Sequence, residues 1–350
     1  MALSALLVLI VVVLLGALGA ITWAANIRRT FAERRRAKTV AELRPRFLAA
    51  IDGADVPRSE FTKREYETFI DLACSMLPTL RGEESETLIR VLDEWGIIGS
   101  ALLSLHHRSP YRRAGAAEML GIARVRRAVP ELVRLLNDRN PDVRRTAARA
   151  LGLIGDATAV APLLETIGET RGVPANTTTM ALLRMEVDAL DPLLEGLRSA
   201  PVPGRAVCAE LLGLRGSIAA LPALTNALEF DEALEVRIRA ARALGRIGLA
   251  SSVDALAATM KRDEPAALRA VVVRSLGQIG GRRTVALLNG ALDAPEHVVQ
   301  SNAARALAAA GDDGIAALTR ASREPTGLRG AYAREALSYV ALEEHAKGAA

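Results

Sequence analysis

The sequence predicts an all-α fold, an α-solenoid of about eight stacked helix pairs preceded by one transmembrane helix. Three observations carry that expectation. A helical block recurs in register along residues 110–343, its apolar positions fall three and four apart around a mid-block Gly, and residues 2–25 carry no ionisable side chain. Half of the residues are apolar while only 3% are aromatic, so the helices must pack through Ala and Leu rather than through rings.

The N-terminal run, LSALLVLIVVVLLGALGAITWAA from Leu3, is long enough at about 1.5 Å per residue to cross a bilayer core of about 30 Å. Trp23 closes it, where an amphipathic ring suits the headgroup region. A cleavable signal peptide would need a basic segment ahead of the apolar run, and only Met1 and Ala2 stand there. Residues 1–25 are therefore expected to be a retained anchor.

The chain has a formal charge of +5, but that charge is local. Residues 26–46 form a basic juxtamembrane linker in which Arg28, Arg29, Arg34, Arg35, Arg36, Lys38, Arg44 and Arg46 face only Glu33 and Glu42, a balance of +6. Residues 47–350 sum to −1. Basic residues on the C-terminal flank predict an N-terminus outside and a repeat domain in the cytoplasm, at the inner membrane of a bacterial cell. Contact with anionic headgroups is compatible with that role. A nearly neutral body excludes non-specific nucleic-acid binding as the leading function.

Eight copies of the block can be aligned on the Leu of an "ALG" motif, at Leu120, Leu151, Leu183, Leu212, Leu244, Leu276, Leu307 and Leu337, with separations of 31, 32, 29, 32, 32, 31 and 30. The clearest are PDVRRTAARALGLIGDATAVAPLLETI from Pro141 and LEVRIRAARALGRIGLASSVDALAATM from Leu234. Each parses as two helices. In the first, Val143, Ala147, Ala150, Leu151 and Ile154 share a face, Gly155 and Asp156 break the helix, and Val160, Leu163, Leu164 and Ile167 open the next. Pro130, Pro162, Pro192 and Pro222 lie near the start of second helices, where a missing N–H costs little.

Two columns run through the copies. Four residues before the anchor stand Ala116, Ala147, Ala240, Ala303 and Ala333, with Cys208 in the same column, small residues that let helices approach. Seven before it stand Arg113, Arg144, Arg205, Arg237 and Arg269, with Gln300 next. The Arg column predicts a structural ladder to neighbouring carboxylates or helix C-termini.

The pattern V-R-x-x-A-A-x-A-L-G-x-I-G-D closely resembles the HEAT repeats of the phycobilisome-lyase-like class, over about residues 110–343. The copy at Leu183 departs from it, with Asn176 in the Arg column and no Gly after the anchor, and predicts a kink or variant surface. The copy at Leu337, with Gly330 in that column, predicts a C-terminal cap, followed by a tail over 344–350. The resemblance implies that second helices line the concave side, and their outward positions Arg134, Glu165, Glu195 and Asn226 are then the candidate partner-binding residues. Their mixed charge suits a protein or peptide.

Residues 47–109 are expected to supply N-terminal helices and a degenerate capping repeat, because a solenoid must close its ends. Residues 82–107 read as a helix pair around Leu88, Leu92, Trp95, Ile98, Leu102 and Leu105. Residues 59–77 read as one amphipathic helix with Ser59 as N-cap.

Catalytic chemistry finds little footing. Cys74 and Cys208 sit in apolar helical patterns, not in a CxxC or a Cys/His cluster. Iron hydroxylases built on such repeats carry His-Glu dipeptides, whereas His297 and His345 follow their Glu and His106-His107 has none. Phe230 is the only aromatic between residues 112 and 331, which leaves nothing to stack on a tetrapyrrole or a nucleobase. The sequence also lacks a P-loop, a GxSxG and a GxGxxG. The reading is a membrane-tethered scaffold with no cofactor, metal or nucleic acid; a bilin-lyase-like enzyme and a nucleic-acid-binding repeat protein are the alternatives.

Overall fold

A computed structural model describes residues 23, 37–168, 172–185, 189–262 and 264–348, with side chains as far as Leu342. The apolar run of residues 2–25, apart from Trp23, and the basic residues Arg28, Arg29, Arg34, Arg35 and Arg36 lie outside the described residues. Among the described residues no helix is long and apolar enough to cross a membrane. The chain divides into two compact units, at His107 and Arg108.

The first unit holds α1 (37–51), α2 (Lys63–Met76), α3 (Glu83–Glu94) and α4 (Ile97–Ser104). Helix α1 corrects the expected linker over 26–46. Leu43, Phe47, Ala50 and Ile51 recur at helical spacing and are buried, so the second half of that segment belongs to the core. Lys38 sits on its exposed side, 3.9 Å from Glu42, an exposed pair of little energetic weight.

The start of α2 is a second correction. Ser59 lies in a short 3₁₀ turn, Arg58–Glu60, and the cap is Thr62. Its hydroxyl accepts from the Glu65 N–H at 3.3 Å while the Glu65 carboxylate accepts from the Thr62 N–H at 2.8 Å. This reciprocal box satisfies two backbone donors and holds the Glu65 carboxyl below the usual range. The core of the unit is aromatic. Trp95 lies 4.9 Å from Phe61 and 4.7 Å from Phe69, Phe47 lies 5.0 Å from Phe69, and the Trp95 indole N–H donates to Val56 O.

The second unit is a run of helix pairs. First helices are α5 (Pro110–Ile122), α7 (Pro141–Ile154), α9 (Ala175–Arg184), α11 (Val202–Leu214), α13 (Leu234–Ile247), α15 (Ala266–Ile279) and α17 (His297–Ala308). Their partners are α6 (Val129–Leu135), α8 (Val160–Glu165), α10 (Leu190–Ser199), α12 (Leu221–Phe230), α14 (Val253–Lys261), α16 (Arg282–Ala291) and α18 (Gly311–Ser322). The eighth anchor, Leu337, lies in a single helix, α19 (Leu328–Gly348), which runs through most of the expected tail and packs on α17 and α18.

Local chemistry sets the boundaries. Asn140 caps α7 by accepting from the N–H groups of Asp142 and Val143. Gly155 and Gly248 end α7 and α13 with φ of +72° and +74°, a left-handed conformation that favours Gly. The anchors Leu120, Leu151, Leu212, Leu244, Leu276 and Leu307 are all buried, and so is every Ala of the packing column.

One register needs correction. Leu183 is 38% exposed while Leu182 is 1% exposed. A Cβ on Gly152 of α7 would lie 2.6 Å from Ala181 Cα, just as one on Gly121 would lie 2.6 Å from Ala150 Cα, so Ala181-Leu182 matches Ala150-Leu151. The third anchor is Leu182. Ala175 then occupies the Arg column in place of Asn176, Thr178 occupies the Ala column, and Leu183 stands where five other copies have Gly.

Candidate partner-binding surface

Four members of the Arg column, Arg113, Arg205, Arg237 and Arg269, join their first helix to the turn that opens the next repeat. Arg113 donates through Nε and Nη2 to Asp138 at 2.7 Å each, and Arg205 does the same to Asp231 at 2.7 and 2.9 Å. Arg237 pairs with Glu264 and Arg269 with Glu296, both at the same place in the repeat. Arg144 reaches the Asp138 and Arg139 carbonyls, and Gln300 donates to Leu292 O.

Asp138 and Asp231 have a second task. Each accepts from the N–H two residues on, Asn140 and Ala233, which shapes the entry to α7 and α13. Burial opposes their ionisation, but the guanidinium and N–H donors outweigh it and hold both carboxyls below the usual range. The hydrogen bond from Arg205 to Asp231 likewise raises the Arg205 guanidinium. The Arg side chains that pair with Asp138, Asp231, Glu264 and Glu296 are 14–19% exposed and each is held by its carboxylate, so they join the array together and are not a free cationic surface.

Arg134, Glu165, Glu195 and Asn226 are exposed on α6, α8, α10 and α12. Arg134 pairs with Glu131 at 2.9 Å and Glu195 with Arg198 at 3.7 Å, each within its own helix. Asn226 borders a groove of about 630 Å³ between α10 and α12, and another of about 620 Å³ between α12 and α14. Phe230, 66% exposed, borders both.

The layer that carries these four residues is the more openly packed of the two. Successive first helices meet almost backbone to backbone. A Cβ on Gly213 would stand 2.6 Å from Ala243 Cα, one on Gly245 2.7 Å from Ser275 Cα, and one on Gly277 2.6 Å from Ala306 Cβ. Second helices stand apart across the grooves around α12. We call the closely packed layer of first helices the inner layer and the one that carries Arg134, Glu165, Glu195 and Asn226 the outer; in five copies a Gly after the anchor removes the side chain that would separate first helices.

The inner layer presents the residue two before each anchor: Glu118, Arg149, Met180, Glu210, Arg242, Arg274 and Arg305. Glu118 and Arg149 pair at 3.3 Å, and Glu210 is engaged by Arg239 and Arg246. At α9 the layer changes character, with Met180 56% exposed, Leu183 in the Gly column, and Arg215 of α11 donating to Leu182 O at 2.9 Å. Neither cysteine joins a cluster. Cys208 is buried on α11 and burial pushes its thiol up to about 12, which keeps it protonated and unreactive at neutral pH. Among the described residues no group of three or more His, Cys, Asp or Glu could hold a metal ion.

A surface made from stacked small-residue helices with an engaged Arg ladder defines a repeat protein. Residues 99–182, 190–270 and 253–338 match the profile of HEAT repeats, which takes in more than half of the chain, and the chain belongs to that family. No curated protein matches it. Among solved structures it is similar to human deoxyhypusine hydroxylase at 23% identity, over 78% of this chain and 96% of that one, with a TM-score of 0.31. It is also similar to the complex of CpcE and CpcF of phycocyanin lyase from Nostoc, at 18% identity over 69% and 94% of the two chains with a TM-score of 0.28. A third is Kap121p bound to Nup53p, at 13% identity over 80% and 38% with a TM-score of 0.47. At these identities the likeness is one of fold.

Proposed function

We propose that the chain is a non-catalytic, membrane-tethered scaffold that binds a protein partner along the inner layer of first helices, on the cytoplasmic side of a bacterial inner membrane. The observation that carries the reading is the row of exposed or half-buried side chains, one per repeat, along two stretches of closely approached first helices, α5 to α9 at Gly121 and Gly152 and α11 to α17 at Gly213, Gly245 and Gly277. Such a row offers many weak contacts to an elongated partner and no enclosed cleft for a reaction. The tether rests on the sequence alone, on the uncharged run of residues 2–25 and the basic flank that follows.

The test places a photo-crosslinking residue at Met180 or Arg274 on the inner layer, and at Glu165 or Glu195 on the outer, in the full chain in its native cells. Discrete adducts from the inner positions and none from the outer ones are expected. Adducts confined to Glu165 and Glu195 would overturn the choice of surface, and no adduct at any position would overturn the scaffold reading.

A further inference from the structure

The inner layer is not uniform in charge. On α13, α15 and α17 three consecutive repeats place an Arg two residues before the anchor, Arg242, Arg274 and Arg305, and none of them has a hydrogen-bond or ion-pair partner among the described residues. The neighbouring cations are engaged: Arg239 with Glu210 and Glu235, and Arg246 with Glu210 at 3.9 Å. These three guanidinium groups stand in register in an array where Arg113, Arg205, Arg237 and Arg269 are neutralised by Asp138, Asp231, Glu264 and Glu296.

Between α15 and α17 the row opens into a groove of about 460 Å³, bordered by Arg274, Gln278, Asn302 and Arg305. Its chemistry is specific. The two guanidinium groups can each take a carboxylate through paired N–H donors. The amides of Gln278 and Asn302 offer both a donor and an acceptor, which matches the N–H and C=O of a peptide backbone. Asn302 already gives one N–H to Ala270 O at 3.0 Å, which fixes its amide at the groove edge. Packed helices stand about 8–10 Å apart, and an extended chain advances about 7–10 Å over two or three residues. Acidic side chains at that spacing would meet one Arg per repeat.

Resting on the scaffold reading, we infer that the face formed by α13, α15 and α17 binds an extended acidic segment of a protein partner, with Arg242, Arg274 and Arg305 each taking one carboxylate. A polynucleotide fits the face less well. The row is three cations long and is bounded by Glu210 on α11 and Glu335 on α19, and the rings near it, His297 at the start of α17 with Tyr332 and Tyr339 of α19, lie at its Arg305 end only, so no ladder of stacking platforms follows the three cations.

Fluorescence anisotropy on the full chain in mild non-ionic detergent tests the inference. The probe is a fluorescein-labelled peptide of alternating Glu and Ser; its Gln-and-Ser counterpart and an oligothymidylate of equal length serve as comparisons, at about 0.15 M salt. The Glu peptide is expected to bind at least about tenfold more tightly than either comparison. Arg242→Gln, Arg274→Gln and Arg305→Gln should each weaken it about two- to fivefold, and the three together about tenfold or more. Arg126→Gln, Arg198→Gln and Arg320→Gln together remove the same charge outside the inner row and should change it less than about twofold, with melting curves verifying that both triple variants are folded. An equal loss in the two triple variants, or equal binding of the Gln peptide, would overturn the acidic-segment inference. So would tighter binding of the oligothymidylate lost on the same three substitutions, which would assign the face to a polynucleotide. If crosslinks form at Met180 and Arg274 while the Glu peptide fails, the scaffold reading survives without the acidic specificity.

Discussion

Gly213 of α11 lies against Ala243 of α13 so closely that a Cβ added to the glycine would stand 2.6 Å from both the Cα and the Cβ of the alanine. The same contact joins Gly121 to Ala150, Gly152 to Ala181, and Gly245 to Ser275. It sets the distance between first helices, and with it the surface that they present. A packing detail thus decides which residues a partner can reach.

Gly213→Ala should therefore destabilise the array by about 1–3 kcal/mol, because the new methyl group meets backbone that cannot rotate away. Gly115→Ala is the matched control: it lies inside α5 with nothing within 4 Å of the added atom, so the helix-propensity gain of about 0.5–1 kcal/mol should appear as stabilisation. Urea denaturation followed by circular dichroism checks both. A Gly213→Ala variant as stable as wild type would remove the close-contact account of the inner layer.

Ala240, fully buried on α13, tests the Ala column. Ala240→Glu combines overpacking with an unpaired buried carboxylate and should cost at least about 3 kcal/mol. Glu165→Gln on the outer layer should shift stability by less than about 0.5 kcal/mol and, with the first helices inside, should leave crosslinking from Arg274 unchanged. The opposite ranking in thermal melts would show that the repeat register is misplaced.

Much of the fold was legible because eight copies vote on one pattern, yet each error has a physical source. The third copy reads MALLRM, with two adjacent Leu and no Gly, and only the tertiary contact between Gly152 and Ala181 separates Leu182 from Leu183. Helix α1 was hidden by the density of Arg, although Leu43, Phe47, Ala50 and Ile51 hold a helical period. Thr62 is legible through the T-x-x-E box that it makes with Glu65, whereas Ser59, three residues upstream, has Thr62 and not a Glu or Gln at the matching position. The inner side was not legible from one copy, since the spacing of two layers is a property of stacked repeats. Its trace in sequence is the Gly after five of the anchors, which reads equally well as punctuation. The Arg242, Arg274 and Arg305 row was visible as a column, but its lack of partners is knowable only once the neighbouring carboxylates are placed.

Topology gives a prediction that depends on the sequence alone. A reporter that is active only in the cytoplasm, fused after Ala350, should be active, because the basic residues 28–46 flank the C-terminal side of the apolar run. Activity of a periplasm-only reporter at the same junction would reverse the orientation and, with it, the side on which a partner is sought.

The Arg205–Asp231 pair makes the array sensitive to acid in a defined direction. Asp231 accepts from Arg205 Nε and Nη2 and from the Ala233 N–H, with Arg237 and Glu232 also near, and the balance of burial against these donors leaves its carboxyl below the usual value of about 3.9. A group whose folded value is depressed contributes stability that is fully present above its unfolded value and is lost as pH falls through the folded one. Asp231→Asn should cost about 1–3 kcal/mol at neutral pH, since Arg205 is left with a neutral acceptor and the turn into α13 loses a charged one. As the pH falls below the unfolded value of about 3.9 the unfolded wild type takes up the proton first, and the contribution is lost progressively toward the lower folded value, so the gap between the two proteins should narrow. Asp138→Asn should behave alike, because Asp138 holds Arg113 and the Asn140 N–H in the same geometry. Denaturation midpoints measured from pH 7 to pH 3 decide the matter: a gap that stays constant across that range would mean that these carboxylates shape their turns as hydrogen-bond acceptors alone, and that the charge on the Arg column contributes nothing to joining the repeats.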